Sequence, residues 1–68
     1  MKVTVTNSGN IKSLEHDDKN LHVEFLNNKI YEYKDVPKSV FLELVKAESI
    51  GKYFIANISK KYKYELKN

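Results

Sequence analysis

The sequence predicts a small α+β domain, an antiparallel meander of three or four strands followed by two helices packed on one face. Three observations predict it. Apolar residues recur with a period of two through the first half of the chain and near 3.6 through the second. Clusters of turn-forming residues (Asn7-Ser8-Gly9, Asp17-Asp18-Lys19-Asn20 and Asn27-Asn28) punctuate the first half. Finally, residues 31 to 51 read as a strand ending in Tyr31-Glu32-Tyr33, a helix opened by Val36-Pro37, and a break marked by Ser49 and Gly51 into a second helix.

Strands are expected at about 2 to 7, 10 to 16, 20 to 26 and 29 to 34, and helices at about 37 to 47 and 50 to 65. Ile11 and Leu14 lie an odd number of residues apart, so placing both on one face of the second strand calls for a bulge. The Asn27-Asn28 turn fixes the direction of the tyrosines, because opposed residues in a hairpin share a face. A two-residue loop would pair Val23 with Glu32 and Leu21 with Lys34, setting charges on the apolar face. A three-residue loop of Leu26, Asn27 and Asn28 instead pairs Val23 with Tyr31 and Leu21 with Tyr33, and sends His22, Glu24, Ile30 and Glu32 to the other face. That register is self-consistent and requires Asn28 to be left-handed, a conformation only Gly, Asn and Asp enter cheaply.

The first helix should start at Pro37, pre-organised for the first helical position, and face the sheet with Val40, Phe41, Leu44, Val45 and Ala47. Ser49 is the expected N-cap of the second helix. Its inner stripe would be Phe54, Ile58 and Tyr62 with Ile55 beside them; at 100° per residue, Tyr53, Asn57, Lys60, Tyr64 and Lys67 would share the outer side.

Sixty-eight residues make a single domain, 1–68, near the lower size limit for independent folding. A core of that size supplies about 3–5 kcal/mol and leaves little room for an enclosed active site. The chain has no cysteine, which removes disulfides and thiolate metal sites and leaves packing as the source of stability. No apolar run approaches the roughly 18 residues of a membrane span, and the alternating amino terminus does not resemble a signal peptide, so a cytoplasmic protein is expected. His16 and His22 lack ligand partners at metal spacing, and no phosphate loop or nucleophile motif is present; the expectation is a protein without cofactor or catalytic residues.

All twelve basic residues are lysine. Residues 1–48 hold seven lysines against eight acids and residues 49–68 hold five against one, so the net charge of +3 belongs to the carboxy-terminal segment. Without arginine the bidentate fork that reads guanine edges is missing, but lysine still neutralises phosphates as a point charge.

From about Ser8 to Tyr62 the chain resembles the KTSC domain family. The residues that carry the resemblance are Leu21, Val23 and Phe25 in one strand, Tyr31 and Tyr33 in the next, Val36-Pro37, then Ala47, Ser49 and Gly51, the pair Tyr53-Phe54, and finally Ile58 and Tyr62. Asn28 departs from the pattern, standing where the family usually has glycine. The resemblance implies a small bacterial or phage domain that also occurs at the carboxy terminus of some lysyl-tRNA synthetases, and for which RNA binding has been suggested. It carries over no catalytic residues.

Two aromatic and basic groups invite a functional reading. Tyr31 and Tyr33 could stack bases on an open sheet, but the chosen register turns both rings toward the helices as core residues with hydroxyls at the rim. The outer face of the second helix offers Lys60, Lys61, Lys63 and Lys67 for phosphates, flanked by Tyr53, Asn57 and Tyr64; its structural alternative is a solvated face whose lysines complement the helix dipole. The expected function is a non-catalytic nucleic-acid-binding module touching structured RNA such as tRNA through its backbone. The alternative is a protein-interaction module or regulator docking on a host protein through the first strand's edge, Val3 to Thr6, or the same helix face.

Overall fold

The computed structural model describes residues 2–5 and 10–67. The elements run β1 (Lys2–Thr4), β2 (Ile11–Asp17), β3 (Asn20–Phe25), β4 (Ile30–Tyr33), α1 (Lys38–Lys46), α2 (Ile50–Asn57) and β5 (Tyr64–Leu66). All five strands form one antiparallel sheet in the order β1-β2-β3-β4-β5. The α+β meander with two helices is therefore present with one strand more than expected, and the expected turn Asn7-Ser8-Gly9 lies outside the described residues.

Each hairpin follows from its local chemistry. The β2 register shifts between Ile11 and Ser13, so a bulge puts both Ile11 and Leu14 into the core. Asp18, at φ 59°, takes the tight turn that pairs Asp17 with Asn20. In the next hairpin Leu21 opposes Tyr33 and Val23 opposes Tyr31, with Asn28 at φ 68°. The Asn28 N–H donates to the Phe25 carbonyl at 3.0 Å and the Lys29 N–H to Asn27 Oδ1 at 3.1 Å. This is the three-residue loop the side-chain pattern requires.

Pro37 is the N-cap of α1, one position earlier than a first helical residue, with ψ at 148°. Its carbonyl accepts from the N–H groups of Val40 and Phe41. Ala47 leaves the helix in extended conformation, and Ser49 restarts it with Oγ accepting from the Lys52 N–H at 3.3 Å. Phe41 and Leu44 from α1, and Phe54 from α2 with Ile58 just beyond it, close over Ile11, Leu14, Leu21, Val23 and Val36 to form the core. His16 belongs to that core: it stacks on Phe41 with ring centroids 5.3 Å apart and its Nε2–H donates to the Val36 carbonyl at 2.7 Å.

The second helix departs from expectation. It ends at Asn57, and the chain continues through a turn into β5 instead of staying helical to residue 65. Two causes act together. A helix through this segment would set Lys60 beside Lys63 and Lys63 beside Lys67, like charges at three- and four-residue spacing. The alternation Tyr64-Glu65-Leu66-Lys67 also suits a strand, and β4 offers it a partner: the Lys34 N–H donates to the Lys63 carbonyl at 2.8 Å and the Lys67 N–H to the Ile30 carbonyl at 2.7 Å. Ile55, expected on the inner stripe, is instead 56% exposed.

Candidate nucleic-acid interface

Because α2 is short, Tyr64 and Leu66 of β5 lie exposed on the helix side of the sheet. Tyr64 opposes Tyr33 and Leu66 opposes Tyr31 across the last ladder, so these four side chains share one face. Tyr33 is buried, Tyr31 is half-buried and Tyr64 is 58% exposed. The Tyr64 ring centroid lies 5.5 Å from that of Tyr31 and 5.4 Å from that of Tyr33, in tilted arrangements. Phe25 meets Tyr31 edge-on at 5.5 Å, and Phe54 meets Tyr33 edge-on at 5.3 Å, both favourable for the ring quadrupoles.

These rings line a cleft of about 600 Å³, completed by Asn10, Leu26, Asn27 and Ser59. None of the nine lining residues is charged. Burial raises the Tyr33 phenol above its ordinary value of 10.0, with the neighbouring tyrosines adding to the rise and a Ser59 hydrogen bond offsetting part of it.

The basic residues have been redistributed by the early end of α2. Lys60, Lys61 and Lys63 are exposed in the turn between α2 and β5, and none of them enters an ion pair among the described residues. Ser59 and Tyr64, which bracket that turn in sequence, both line the cleft, so the turn leaves the cleft at one and returns to it at the other. Tyr53 and Asn57 stay on α2, where Asn57 Nδ2–H donates to the Tyr53 carbonyl at 3.2 Å and Tyr53 packs against the core. Tyr64 sits on β5, beside the rings of β4. The expected single helical face of Tyr53, Asn57, Lys60, Tyr64 and Lys67 is not formed.

Lys67 points to the other side of the sheet. Its Nζ lies 2.7 Å from Glu65 Oε1 and 3.2 Å from Glu32 Oε1. Glu32, only 8% exposed, also accepts from Lys34 Nζ at 2.9 Å and Asn20 Nδ2 at 3.1 Å, and His22 Nε2 lies 3.7 Å away. The Lys34 hydrogen bond is the main cause that holds the Glu32 carboxyl below its ordinary 4.5; burial opposes it and Lys67 adds to the lowering. Lys67, although exposed, thus bridges Glu32 and Glu65 on that face.

Phe25, Leu26, Tyr31, Tyr33, Phe54 and Ser59 enter the site although no sequence pattern grouped them with the lysines. The signal that could have found them is the period-two run from Tyr62 to Lys67, which marks a strand and hence a partner for Tyr31 and Tyr33. No helix among the described residues is long and apolar enough to cross a membrane.

Comparison with known proteins agrees with this architecture. A KTSC domain protein from Yersinia pestis, known from a crystal structure, superposes with a TM-score of 0.91 over 100% of this chain and 97% of its own, at 24% identity, a likeness of fold. An uncharacterized protein of Stutzerimonas stutzeri (strain A1501) is 36% identical over 56 residues, 79% of each chain. The KTSC domain family model matches residues 7–62, from before β2 through the turn after α2. That span takes in the tyrosine pair, the proline-opened helix and the capped second helix, and the chain belongs to the KTSC domain family.

Proposed function

We propose that this protein is a non-catalytic nucleic-acid-binding module that holds structured RNA, such as tRNA, through its phosphate backbone. The observation that carries the reading is the exposed turn with Lys60, Lys61 and Lys63, which have no ion-pair partners among the described residues and whose two ends, Ser59 and Tyr64, line an uncharged cleft. Lysines satisfied by carboxylates would gain little from phosphate; these three neutralise phosphates and release the cations condensed on the nucleic acid. With no arginine in the chain, sequence discrimination through base edges is weak. An RNA ligand of this kind places the protein in the cytoplasm.

The test is a salt series with bulk tRNA. Binding should weaken steeply between low and physiological salt, and the double variant Lys60→Glu, Lys63→Glu should lower the slope of log K against log salt by about 1.4–1.8, two phosphate contacts' worth. Unchanged affinity in that variant would refute the reading. A protein partner is the competing reading, supported by the exposed apolar side chains of Leu26 and Ile55 and by β1, which among the described residues pairs with β2 alone. An interface of that kind would show little salt dependence.

A further inference from the structure

Resting on the nucleic-acid reading above, we infer that the cleft between β4, β5 and the end of α2 receives an unpaired nucleobase, stacked against Tyr64, while the Lys60–Lys63 turn holds the adjoining phosphate. Three observations converge on a base. Five of the cleft's nine lining residues are aromatic and none is charged, which suits a neutral planar ring and would penalise a phosphate that left its water there. Its volume of about 600 Å³ is that of a pocket for a small organic guest. The ring at its mouth, Tyr64, is 58% exposed yet braced by Tyr31 and Tyr33, both within 5.5 Å, so a stacking surface is already in place and little ordering remains to be done on binding.

The rim explains why the guest arrives on a charged strand. Ser59 and Tyr64 line the cleft and bracket the exposed Lys60 and Lys61 in the turn between them, so a strand whose phosphates meet that turn brings its bases to the mouth. Asn10, Asn27 and Ser59 make the edge of the cleft polar. A fully paired helix cannot use the cleft, because its bases are held in the stack; loops, bulges and ends can.

The chain has no tryptophan and five tyrosines, so its own fluorescence reports on these rings. The experiment titrates wild-type protein, Tyr64→Ala and Tyr64→Phe with a labelled single-stranded oligouridylate and with an abasic strand of equal length, following anisotropy and tyrosine quenching across a salt series. Tyr64→Ala is expected to bind the oligouridylate about tenfold or more weakly with an unchanged salt slope, and Tyr64→Phe to bind as wild type, since stacking needs the ring and not the hydroxyl. The abasic strand should bind wild type as weakly as the oligouridylate binds Tyr64→Ala, without quenching. Equal wild-type affinity for the two strands, with the lysine dependence intact, would overturn the base pocket and leave the phosphate-binding reading standing. No binding of either strand, or of tRNA, at low salt would overturn both.

Discussion

Asn28 shows how much one residue can decide. Its left-handed φ of 68° closes the three-residue loop that sets every side chain of β3 and β4 on its face. A residue with a branched Cβ meets the following carbonyl in that conformation, whereas glycine meets nothing. Asn28→Gly is therefore expected to leave the melting temperature unchanged or raise it, and Asn28→Val to destabilise by about 1–2 kcal/mol. A clear loss of melting temperature in Asn28→Gly would contradict the register.

Glu32 makes the corresponding argument in electrostatics, since Lys34, Lys67, Asn20 and His22 all converge on it. Its folded pKa lies below the ordinary 4.5, so its contribution to stability is complete above that value and disappears as pH falls through the folded pKa. Lys67 runs the other way: raised above 10.5, chiefly by the Glu65 hydrogen bond, its contribution persists until pH climbs past that range. Melting curves of wild type and Glu32→Gln taken from neutral to acid pH should converge as pH drops below about 4.5; parallel curves would show that the carboxylate is not what the acid limb reports.

At the level of elements, α1 and α2 illustrate two ways to start a helix. Pro37 starts α1 without any side-chain cap, through its own φ of −61° and a carbonyl that is ready to accept. Ser49 starts α2 by satisfying the Lys52 N–H, and removing that bond in Ser49→Ala should cost roughly 1 kcal/mol. In a domain of this size that corresponds to a fall of about 4–8 °C in melting temperature, readable by circular dichroism. The end of α2 is decided differently, by competition between lysine repulsion along a longer helix and an open hydrogen-bonding edge on β4.

For the molecule as a whole the margin is narrow. Phe41 is fully buried and touches both the sheet's inner face and His16. Phe41→Ala should cost about 3–5 kcal/mol, which equals what a core of this size supplies, about 3–5 kcal/mol. The variant is expected to be largely unfolded at room temperature by near-ultraviolet circular dichroism. Tyr64→Ala, at the exposed mouth of the cleft, should remain folded. The molecule thus separates a minimal core under α1 and the start of α2 from a rim of tyrosine and lysine that stability does not need.

Much of this organisation was legible in the chain itself. Period-two alternation, Asn28 in a three-residue loop, the odd spacing of Ile11 and Leu14, and Ser49 before an apolar stripe each express a local rule, and local rules are read without knowing what lies across the fold. The tail was not legible in that way. Residues 58–67 satisfy a helical wheel and a strand alternation about equally well, and the family resemblance stops at Tyr62. What chose between them was the unpaired edge of β4, a partner more than thirty residues away in sequence from Tyr64 and adjacent only in the folded sheet. That choice moved Tyr64 from beside Tyr53 to beside Tyr31 and Tyr33, turned Lys67 onto Glu32, and opened the cleft. Local pattern was enough for the order and kind of the first six elements and most of the core they bury, but not for His16 inside it or Ile55 outside it; the last strand and, with it, the candidate site were settled in the folded sheet, because the hydrogen bonds that hold them are long-range.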